Sequence, residues 1–259
     1  MLCLTALVGF ASAEGEPDAG RLGLTLAAML ASQLAIGWTN DYRDREHDRV
    51  FQPSKPVPAG LVEARLLPWA SVAAVTAALG LGAALGLLPL TFLIVGTGAG
   101  LAYDFGLKDA RLSWLPLVVG LAVLPPFVWA SLDVFREEFL WLYPVASPLA
   151  VAVHLANALP DLEGDARAAR GGVVVRLGRA GALRLLGACL AAPVALLGLS
   201  LLRLEYEAAV LLPAAAGYGL LLAAAGFAYR RPGREAAVWA FRLVVAASVI
   251  FAGGWLAAV

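Results

Sequence analysis

The sequence is poor in charged residues, cysteine and histidine. Asp, Glu, Lys and Arg make up 15% of the 259 residues, and the formal net charge is zero. An ordinary soluble domain carries roughly 25% charged residues, and a neutral chain offers no basic surface to a nucleic acid. The two cysteines, Cys3 and Cys189, lie far apart in apolar stretches without metal-ligand spacing. We therefore expect no nucleic-acid partner, and we expect both cysteines to be small buried residues.

Apolar residues are abundant instead. They form 61% of the chain, and the mean hydropathy is +0.81. Several apolar runs reach about 20 residues, enough to cross a hydrocarbon core roughly 30 Å thick. The pattern predicts one all-α, polytopic membrane domain over residues 1–259. Nine apolar segments can be drawn, at 1–13, 21–39, 61–86, 88–103, 113–131, 138–158, 180–202, 207–229 and 236–258.

The first segment admits two interpretations. It ends in Ala11-Ser12-Ala13, which resembles a signal-peptide cleavage site, but no Lys or Arg precedes the apolar run. It is also shorter than a full span. We expect a clipped or tilted first helix, with a signal peptide as the alternative. The short run is also consistent with a misassigned start of the chain.

Basic residues concentrate on one side of the predicted spans. The opposite side holds Arg21, Arg136 and Arg203, and Arg242 falls within the last span. By the positive-inside rule the basic side is cytoplasmic, and the C-terminus then faces outward. The basic side carries Arg43, Arg45, Arg49, Lys55, Arg65, Lys108, Arg111, Arg167, Arg170, Arg176, Arg179, Arg184, Arg230, Arg231 and Arg234.

Two acidic clusters follow separate spans on that same side. If the second helix continues, Asp41, Asp44 and Asp48 lie on one helical face at i, i+3 and i+7. After the sixth segment, Asn157, Asp161 and Asp165 recur at i, i+4 and i+8, provided that Pro160 does not break the turn. Gathered carboxylates repel one another unless a cation neutralises them. Mg²⁺ prefers oxygen ligands and bridges carboxylates to substrate phosphates, so the clusters predict a Mg²⁺–diphosphate site. The alternative is a solvated, salt-bridged turn.

Three ordered motifs resemble those of the UbiA superfamily of intramembrane prenyltransferases. The stretch from Asn40 to Asp48 fits the NDxxDxxxD motif of that family, and Asp161 to Asp165 fits its DxxxD motif. Between them, Tyr103-x3-Leu107-Lys108 is similar to the family's Tyr…Leu-Lys segment. The resemblance implies a bundle of about nine transmembrane helices around a central cavity, with an allylic prenyl diphosphate as donor.

The resemblance also implies a role for each matching residue. Mg²⁺ would be held by five carboxylates, which with Lys108 form the expected catalytic set: Asp41, Asp44, Asp48, Asp161 and Asp165. The diphosphate would be bound by Asn40, Tyr103, Lys108, Asn157, Arg45 and Lys55. Two departures from the family pattern concern substrate choice. Lys55 replaces the usual Arg of an "RPxxxG" segment and so loses bidentate geometry, and Arg170-Gly171-Gly172-Val173 lacks an expected Lys-Thr pair.

Other polar and aromatic residues carry weaker expectations. His47 is expected to be a solvated loop residue, whereas His154 is either functional or a hydrogen-bonded bundle histidine. Glu163 is expected to pair with Arg167 at i+4, and Asp104 to neutralise Lys108. Several tryptophans near span ends are expected to be interface anchors: Trp38, Trp114, Trp129, Trp141 and Trp239.

The motifs favour Mg²⁺-dependent prenyl transfer to a small acceptor. The acceptor is expected to be an aromatic ring of quinone or chlorophyll type, or a glyceryl phosphate. One rival is a terpene cyclase of the same superfamily, which would act on the prenyl diphosphate alone. A second rival is a non-catalytic transporter or scaffold. The sequence shows no obvious inverted repeat, and its carboxylates lie at helix ends instead of mid-span, which disfavours a transporter.

Overall fold

A computed structural model gives the fold of the chain. It describes residues 1–13, 15–135, 137–167, 172–202, 204–231 and 233–259. These residues form α-helices and short 3₁₀ turns, without a strand among them. They divide into two compact units, one of residues 1–108 and 119–134, the other of residues 109–118 and 135–259. Arg136, Arg170, Gly171 and Arg203, which entered the predictions above, lie outside the described residues.

The first unit is organised around a long second helix. This helix, α2, packs against α1, α3 and α4, and Ser32 and Thr97 join α2 to α4 through a buried 2.7 Å hydrogen bond between their hydroxyl groups. Gly86 separates α3 from α4 as a single residue with φ of 128°, a backbone conformation suited to glycine. The helices are α1 (Leu2–Ser12), α2 (Ala19–Phe51), α3 (Leu67–Leu85), α4 (Leu87–Asp104) and α5 (Leu115–Leu132), whose first residues belong to the second unit.

The second unit is a helical bundle in which α10 packs against α6 and α9, and α6 packs against α8. Its core is built from small and branched apolar side chains such as Ala156, Leu186 and Val244. Gly178 interrupts the path of α8 with φ of 64° and so kinks it near its start. The helices are α6 (Leu142–Ala158), α7 (Leu162–Arg167), α8 (Val173–Ser200), α9 (Ala208–Tyr229) and α10 (Arg234–Ala258).

The nine apolar segments correspond to nine of these helices, and the first helix is short, as predicted. In the part of the chain that the structure describes, eight helical stretches are long and apolar enough to cross a membrane, and α1, at 11 residues, is not. The six-residue α7 continues the path of α6 through a 3₁₀ turn. The all-α membrane fold is therefore confirmed.

The length of α2 explains where its polar residues lie. Its 33 residues extend about 50 Å at 1.5 Å per residue, which exceeds a hydrocarbon core of roughly 30 Å. Residues 19–39 supply the apolar span, and the polar stretch from Asn40 onward forms the last three turns. The expected continuation of this helix is thus confirmed.

Expectations about three residues and one helix start are wrong. Cys3 is exposed instead of buried, and Cys189 is only half-buried. Trp129 is 3% exposed and donates a 2.9 Å hydrogen bond from Nε1 to Ser12 Oγ, so it is a core residue and not an interface anchor. The seventh span begins at Val173, seven residues before the predicted start, because the kink at Gly178 lets a short helical turn precede the apolar run.

Candidate functional site

The first acidic cluster lies on the last three turns of α2. Since the helix is continuous, Asp41, Asp44 and Asp48 share one face, as their spacing predicted. Asp44 and Asp48 are 8% and 2% exposed, and Asp41 is half-buried. A buried carboxylate requires a compensating cation or hydrogen-bond donors. The structure supplies both.

Two lysines neutralise the buried carboxylates. Lys108, from the 3₁₀ turn after α4, donates from Nζ to Asp44 Oδ1 at 2.5 Å. Lys55, from the loop after α2, donates from Nζ to Asp48 Oδ2 at 2.8 Å. Charge-assisted bonds of this kind are among the stronger ones in proteins. Two of the expected diphosphate ligands are therefore bound to two of the expected metal ligands.

Asn40 joins this cluster to a carboxylate that the sequence did not place in it. Its Nδ2 donates to Asp44 Oδ2 at 3.1 Å and to Asp104 Oδ1 at 3.0 Å. Asp104, at the end of α4, is 1% exposed. Lys108 Nζ bonds to Asp44 and not to Asp104, so Lys108 acts on Asp104 only through its nearby charge. The sequence does contain one indication that Asp104 belongs to this cluster. A carboxylate at the end of an apolar span needs a buried polar partner.

The other predicted residues of this region have different surroundings. Tyr103 is half-buried in the last turn of α4. Arg45 follows its own helix, donating to the Tyr42 carbonyl oxygen at 2.7 Å and lying 4.5 Å from the Tyr42 ring centroid. His47 is not a solvated loop residue: its side chain is 13% exposed on α2, and its ring lies 4.6 Å from that of Phe51.

The second acidic cluster lies in the other unit, where α6 passes into α7. Pro160 falls in a 3₁₀ turn, Leu159–Asp161, which keeps the helical path continuous. Asp161 Oδ1 lies 2.9 Å from both Nε and Nη2 of Arg234 at the start of α10. Asn157 is exposed and Asp165 half-buried. Arg234 was counted only as a cytoplasmic charge, because its 73-residue separation from Asp161 leaves no local sequence signal.

Two further expectations concern this second unit. Glu163 and Arg167 form the expected i, i+4 pair at 3.6 Å, and both are largely exposed, so the pair contributes little stability. His154 is 3% exposed, and its Nε2 lies 3.3 Å from Ser113 Oγ. This contact favours the hydrogen-bonded bundle histidine over a functional residue.

The donor atoms of the first cluster suit a hard divalent cation. Carboxylate and amide oxygens come from Asn40, Asp41, Asp44, Asp48 and Asp104. Asp104 Oδ2 is buried without a hydrogen-bond partner within the described ranges, so one acceptor remains available. Across those ranges no three His, Cys, Asp or Glu side chains converge closely enough to hold a metal by themselves. Mg²⁺ commonly takes one or two carboxylates and completes its shell with water and substrate phosphates.

Comparison with known families places the motifs in a wider context. The model of the UbiA prenyltransferase family matches residues 2–255. The digeranylgeranylglyceryl phosphate synthase of Pyrococcus abyssi (strain GE5 / Orsay) is 26% identical over 159 residues, which are 59% of this chain and 55% of that relative. The chain thus aligns with little more than half the length of this relative.

Solved structures share the fold. The apo structure of a UbiA homolog from Aeropyrum pernix K1 superposes with a TM-score of 0.75 at 23% identity, over 98% of this chain and 94% of that one. The structure of a UbiA homolog from Archaeoglobus fulgidus bound to GPP and Mg²⁺ gives a TM-score of 0.74 at 19% identity, over 99% and 94%. At these identities the likeness shows a common fold.

Proposed function

This chain belongs to the UbiA prenyltransferase family, and from that premise we propose that it is a Mg²⁺-dependent prenyltransferase. The proposed reaction transfers a prenyl group from an allylic polyprenyl diphosphate to a glyceryl phosphate acceptor within the membrane. The observation that carries the proposal is the family match over residues 2–255, which includes both acidic motifs. The eight long apolar helices and the family together make it an integral, multi-pass membrane protein. The basic loops that bear the two motifs are each proposed to face the cytoplasm.

The glyceryl phosphate acceptor is supported by the Pyrococcus abyssi relative. A digeranylgeranylglyceryl phosphate carries two prenyl groups on glyceryl phosphate, so its synthase implies an acceptor that already carries one. This chain is 26% identical to that enzyme over 159 residues. Aromatic acceptors and cyclisation without any acceptor are the other outcomes that an assay must separate.

The carboxylates described above are the proposed metal ligands. In the first unit one or two of Asp41, Asp44 and Asp48 would hold Mg²⁺, and in the second unit Asp161 and Asp165 would, with water and diphosphate oxygens completing each shell. A homolog from Archaeoglobus fulgidus was solved with GPP and Mg²⁺ bound. When bound, Mg²⁺ neutralises diphosphate charge and stabilises the negative charge that develops as the allylic C–O bond breaks. Asp41 is the half-buried carboxylate that no hydrogen bond or ion pair engages within the described ranges, so it is the most accessible first ligand.

The lysines are proposed to change partners when substrate binds. Lys108 and Lys55 hold Asp44 and Asp48 at 2.5 and 2.8 Å. Mg²⁺, if bound, would compete with the ammonium groups for these carboxylates, and Lys108 and Lys55 would then be free to bind diphosphate oxygens and stabilise the charge on the leaving group. In the second unit, Arg234 is bonded to Asp161 and is proposed to exchange this carboxylate for a diphosphate oxygen in the same way.

The covalent step requires one bond to break and one to form. The allylic C–O bond breaks, and its electron pair leaves with the diphosphate. An acceptor hydroxyl oxygen then bonds to the allylic cation, and its proton passes to a nearby carboxylate. The apolar spans on either side of the motifs limit access of water, which would otherwise capture the cation. Asn40, through its two bonds, orients Asp44 and Asp104 during this sequence.

Alanine substitution tests the assignment. Asp41→Ala and Asp161→Ala, each in purified protein with geranylgeranyl diphosphate and a monoprenylated glyceryl phosphate, are expected to reduce Mg²⁺-dependent product formation at least 100-fold, a loss typical of a deleted electrostatic contact to a transition state. Glu63→Ala is the matched control, since that exposed carboxylate pairs with Arg65 outside both clusters. Full activity in either aspartate variant would remove that cluster from the site.

A second assay identifies the acceptor. Labelled diphosphate is incubated with the monoprenylated glyceryl phosphate, with an aromatic acid, or alone. A diprenyl ether product supports the proposal. A prenylated ring would move the assignment to the aromatic branch, and a released cyclic hydrocarbon from donor alone would identify a cyclase.

A further inference from the structure

An apolar groove runs along the second unit between α8 and α9, with α10 as its floor. Its volume is about 540 Å³, within the range of roughly 300–1,000 Å³ typical of ligand sites. On α8 it extends from Leu183 to Leu197, and on α9 from Tyr229 to Ala215. Fourteen helical residues span about 21 Å. We call this feature the α8–α9 groove.

The α8–α9 groove stays open because small residues line its walls. Gly187 on α8, and Gly219 and Gly226 on α9, are exposed, and a Cβ placed at any of the three meets no atom within 4 Å. The walls are joined by the Tyr218 hydroxyl, which donates to the Leu190 carbonyl oxygen at 2.6 Å. This bond ties α8 to α9 beside the groove, which is long and apolar enough for one hydrocarbon chain.

One end of the groove is polar and cationic. The Tyr229 hydroxyl lines that end and is buried without a hydrogen-bond partner within the described ranges. Arg179 donates from Nη2 to the Tyr229 carbonyl oxygen at 3.0 Å, which fixes a guanidinium beside the groove mouth. Arg230 follows directly, and Arg231 lies 4.7 Å from the Phe227 ring.

The charge at this end is not neutralised by the protein. Among the described residues, no carboxylate forms an ion pair with Arg179, Arg230 or Arg231, and the nearby acidic residue Asp161 is bound to Arg234. Each arginine near a membrane surface contributes attraction for anionic lipid. A hydrocarbon channel that ends at unpaired guanidinium groups is complementary to a molecule with an apolar chain and an anionic head.

We propose that the α8–α9 groove binds one chain of an anionic membrane phospholipid, whose phosphate headgroup is held by Arg179 and Arg230. The Tyr229 hydroxyl supplies a hydrogen bond at the junction of chain and headgroup. The proposal uses no residue of either acidic cluster. It therefore stands or falls independently of the transfer reaction.

Native mass spectrometry of the purified protein tests the proposal. Protein delipidated in detergent is titrated with phosphatidylglycerol and, separately, with phosphatidylcholine of the same chains. We expect one phosphatidylglycerol to be retained at a concentration at which phosphatidylcholine is lost. Equal retention of the two lipids would overturn the proposal.

Two kinds of variant separate the headgroup contact from the chain contact. Arg179→Gln and Arg230→Gln are each expected to weaken phosphatidylglycerol retention about fivefold, the effect of one arginine at a membrane surface. Arg65→Gln is the control, since that exposed arginine pairs with Glu63 in the first unit. An unchanged affinity in both groove variants contradicts the headgroup assignment.

Filling the groove tests the chain contact. Gly187→Leu and Gly226→Leu place side chains in open space inside the groove and are expected to abolish phosphatidylglycerol retention. Gly198→Leu is the matched control: it lies on α8 outside the groove, and its Cβ also meets nothing within 4 Å. Thermal unfolding in lipid-free detergent checks that all three variants fold. Retention equal to that of Gly198→Leu would show that the groove is not the binding site.

Discussion

At the residue scale, the distinctive feature of the first cluster is an amide that links two carboxylates. Asn40 donates to Asp44 and to Asp104, and Asp104 is almost wholly buried at the end of α4. Residues that orient metal ligands often matter nearly as much as the ligands themselves. We therefore expect Asp104 to position Asp44 through Asn40 in the proposed site.

Substitution of Asp104 is expected to impair the proposed reaction. Asp104→Ala leaves the Asn40 amide without its second acceptor, and we expect a loss of about 10- to 100-fold in kcat/KM, the usual effect of removing a partner of a metal ligand. Asp104→Asn retains an oxygen acceptor and is expected to keep more activity. Asp109→Ala, at an exposed position in the other unit, is the control.

A merely structural role for Asp104 predicts a different result. In that case Asp104→Ala would lower the free energy of unfolding without changing the Mg²⁺ concentration that gives half-maximal activity. The positioning role predicts that this Mg²⁺ concentration rises. Measuring both quantities in the same preparation distinguishes the two.

The sequence predicted that the aspartates of α2 share one helical face, but it did not predict which residues of other helices bond to them. The i, i+3, i+7 spacing of Asp41, Asp44 and Asp48 defines a face as soon as the helix is continuous. The contacts to Lys108, Asp104 and Arg234 join residues at least 64 positions apart. Helical periodicity carries no information on such pairs, because they depend on how helices pack and not on local spacing.

At the element scale, α9 and α10 approach each other closely in the second unit. A Cβ built on Gly254 would overlap the Cβ of Ala214, which belongs to the facing helix and has no rotamer to change. Close approach of this kind requires small residues at the contact, as is common between membrane helices. Gly254 therefore sets the distance between α9 and α10.

Enlarging that contact is expected to destabilise the protein. Gly254→Ala should lower the free energy of unfolding by about 1–3 kcal/mol, the usual effect of overpacking. The matched control is Gly217→Ala on α9, where the added Cβ would meet Ile250 Cγ2 at an ordinary 3.5 Å. Thermal unfolding in detergent compares the two. If both variants unfold at the same temperature, α9 and α10 can separate without loss of stability.

Helix existence was easier to predict than helix ends. The nine apolar segments all correspond to helices, because a span must be apolar along its length. The early start of α8 was missed, since residues 173–179 contain two arginines and a kink at Gly178. A short helical turn of this kind is stabilised by its contacts in the fold. Its sequence contains no long apolar run from which the turn could be predicted.

At the scale of the whole molecule, fifteen basic residues on one side of the spans predict which side is cytoplasmic. Cysteine labelling tests this. With Cys3 and Cys189 replaced by alanine, Ser54→Cys, in the exposed loop after α2, is expected to react with a membrane-impermeant maleimide only when the cytoplasmic face is accessible. Glu205→Cys, an exposed position between α8 and α9, is expected to react from the opposite face.

Intact spheroplasts and inverted vesicles provide the two orientations. Labelling of both cysteines from the same side would contradict the span count between them. Labelling of Ser54→Cys from outside would reverse the orientation and place the acidic clusters on the external face.

The lysine–carboxylate pairs of the first cluster have a consequence for ion selectivity. Asp44 and Asp48 already have counterions of their own, held at 2.5 and 2.8 Å. An ion that takes over the lysine-bonded oxygens displaces an ammonium group. A singly charged ion then replaces one positive charge with another, without a net electrostatic gain. A doubly charged ion arriving with a diphosphate provides both a stronger cation for the carboxylates and a new anion for the lysines. We therefore expect sodium and potassium to compete poorly at this site even at cellular concentrations. Only a divalent ion that binds together with a diphosphate provides new partners for both the carboxylates and the lysines.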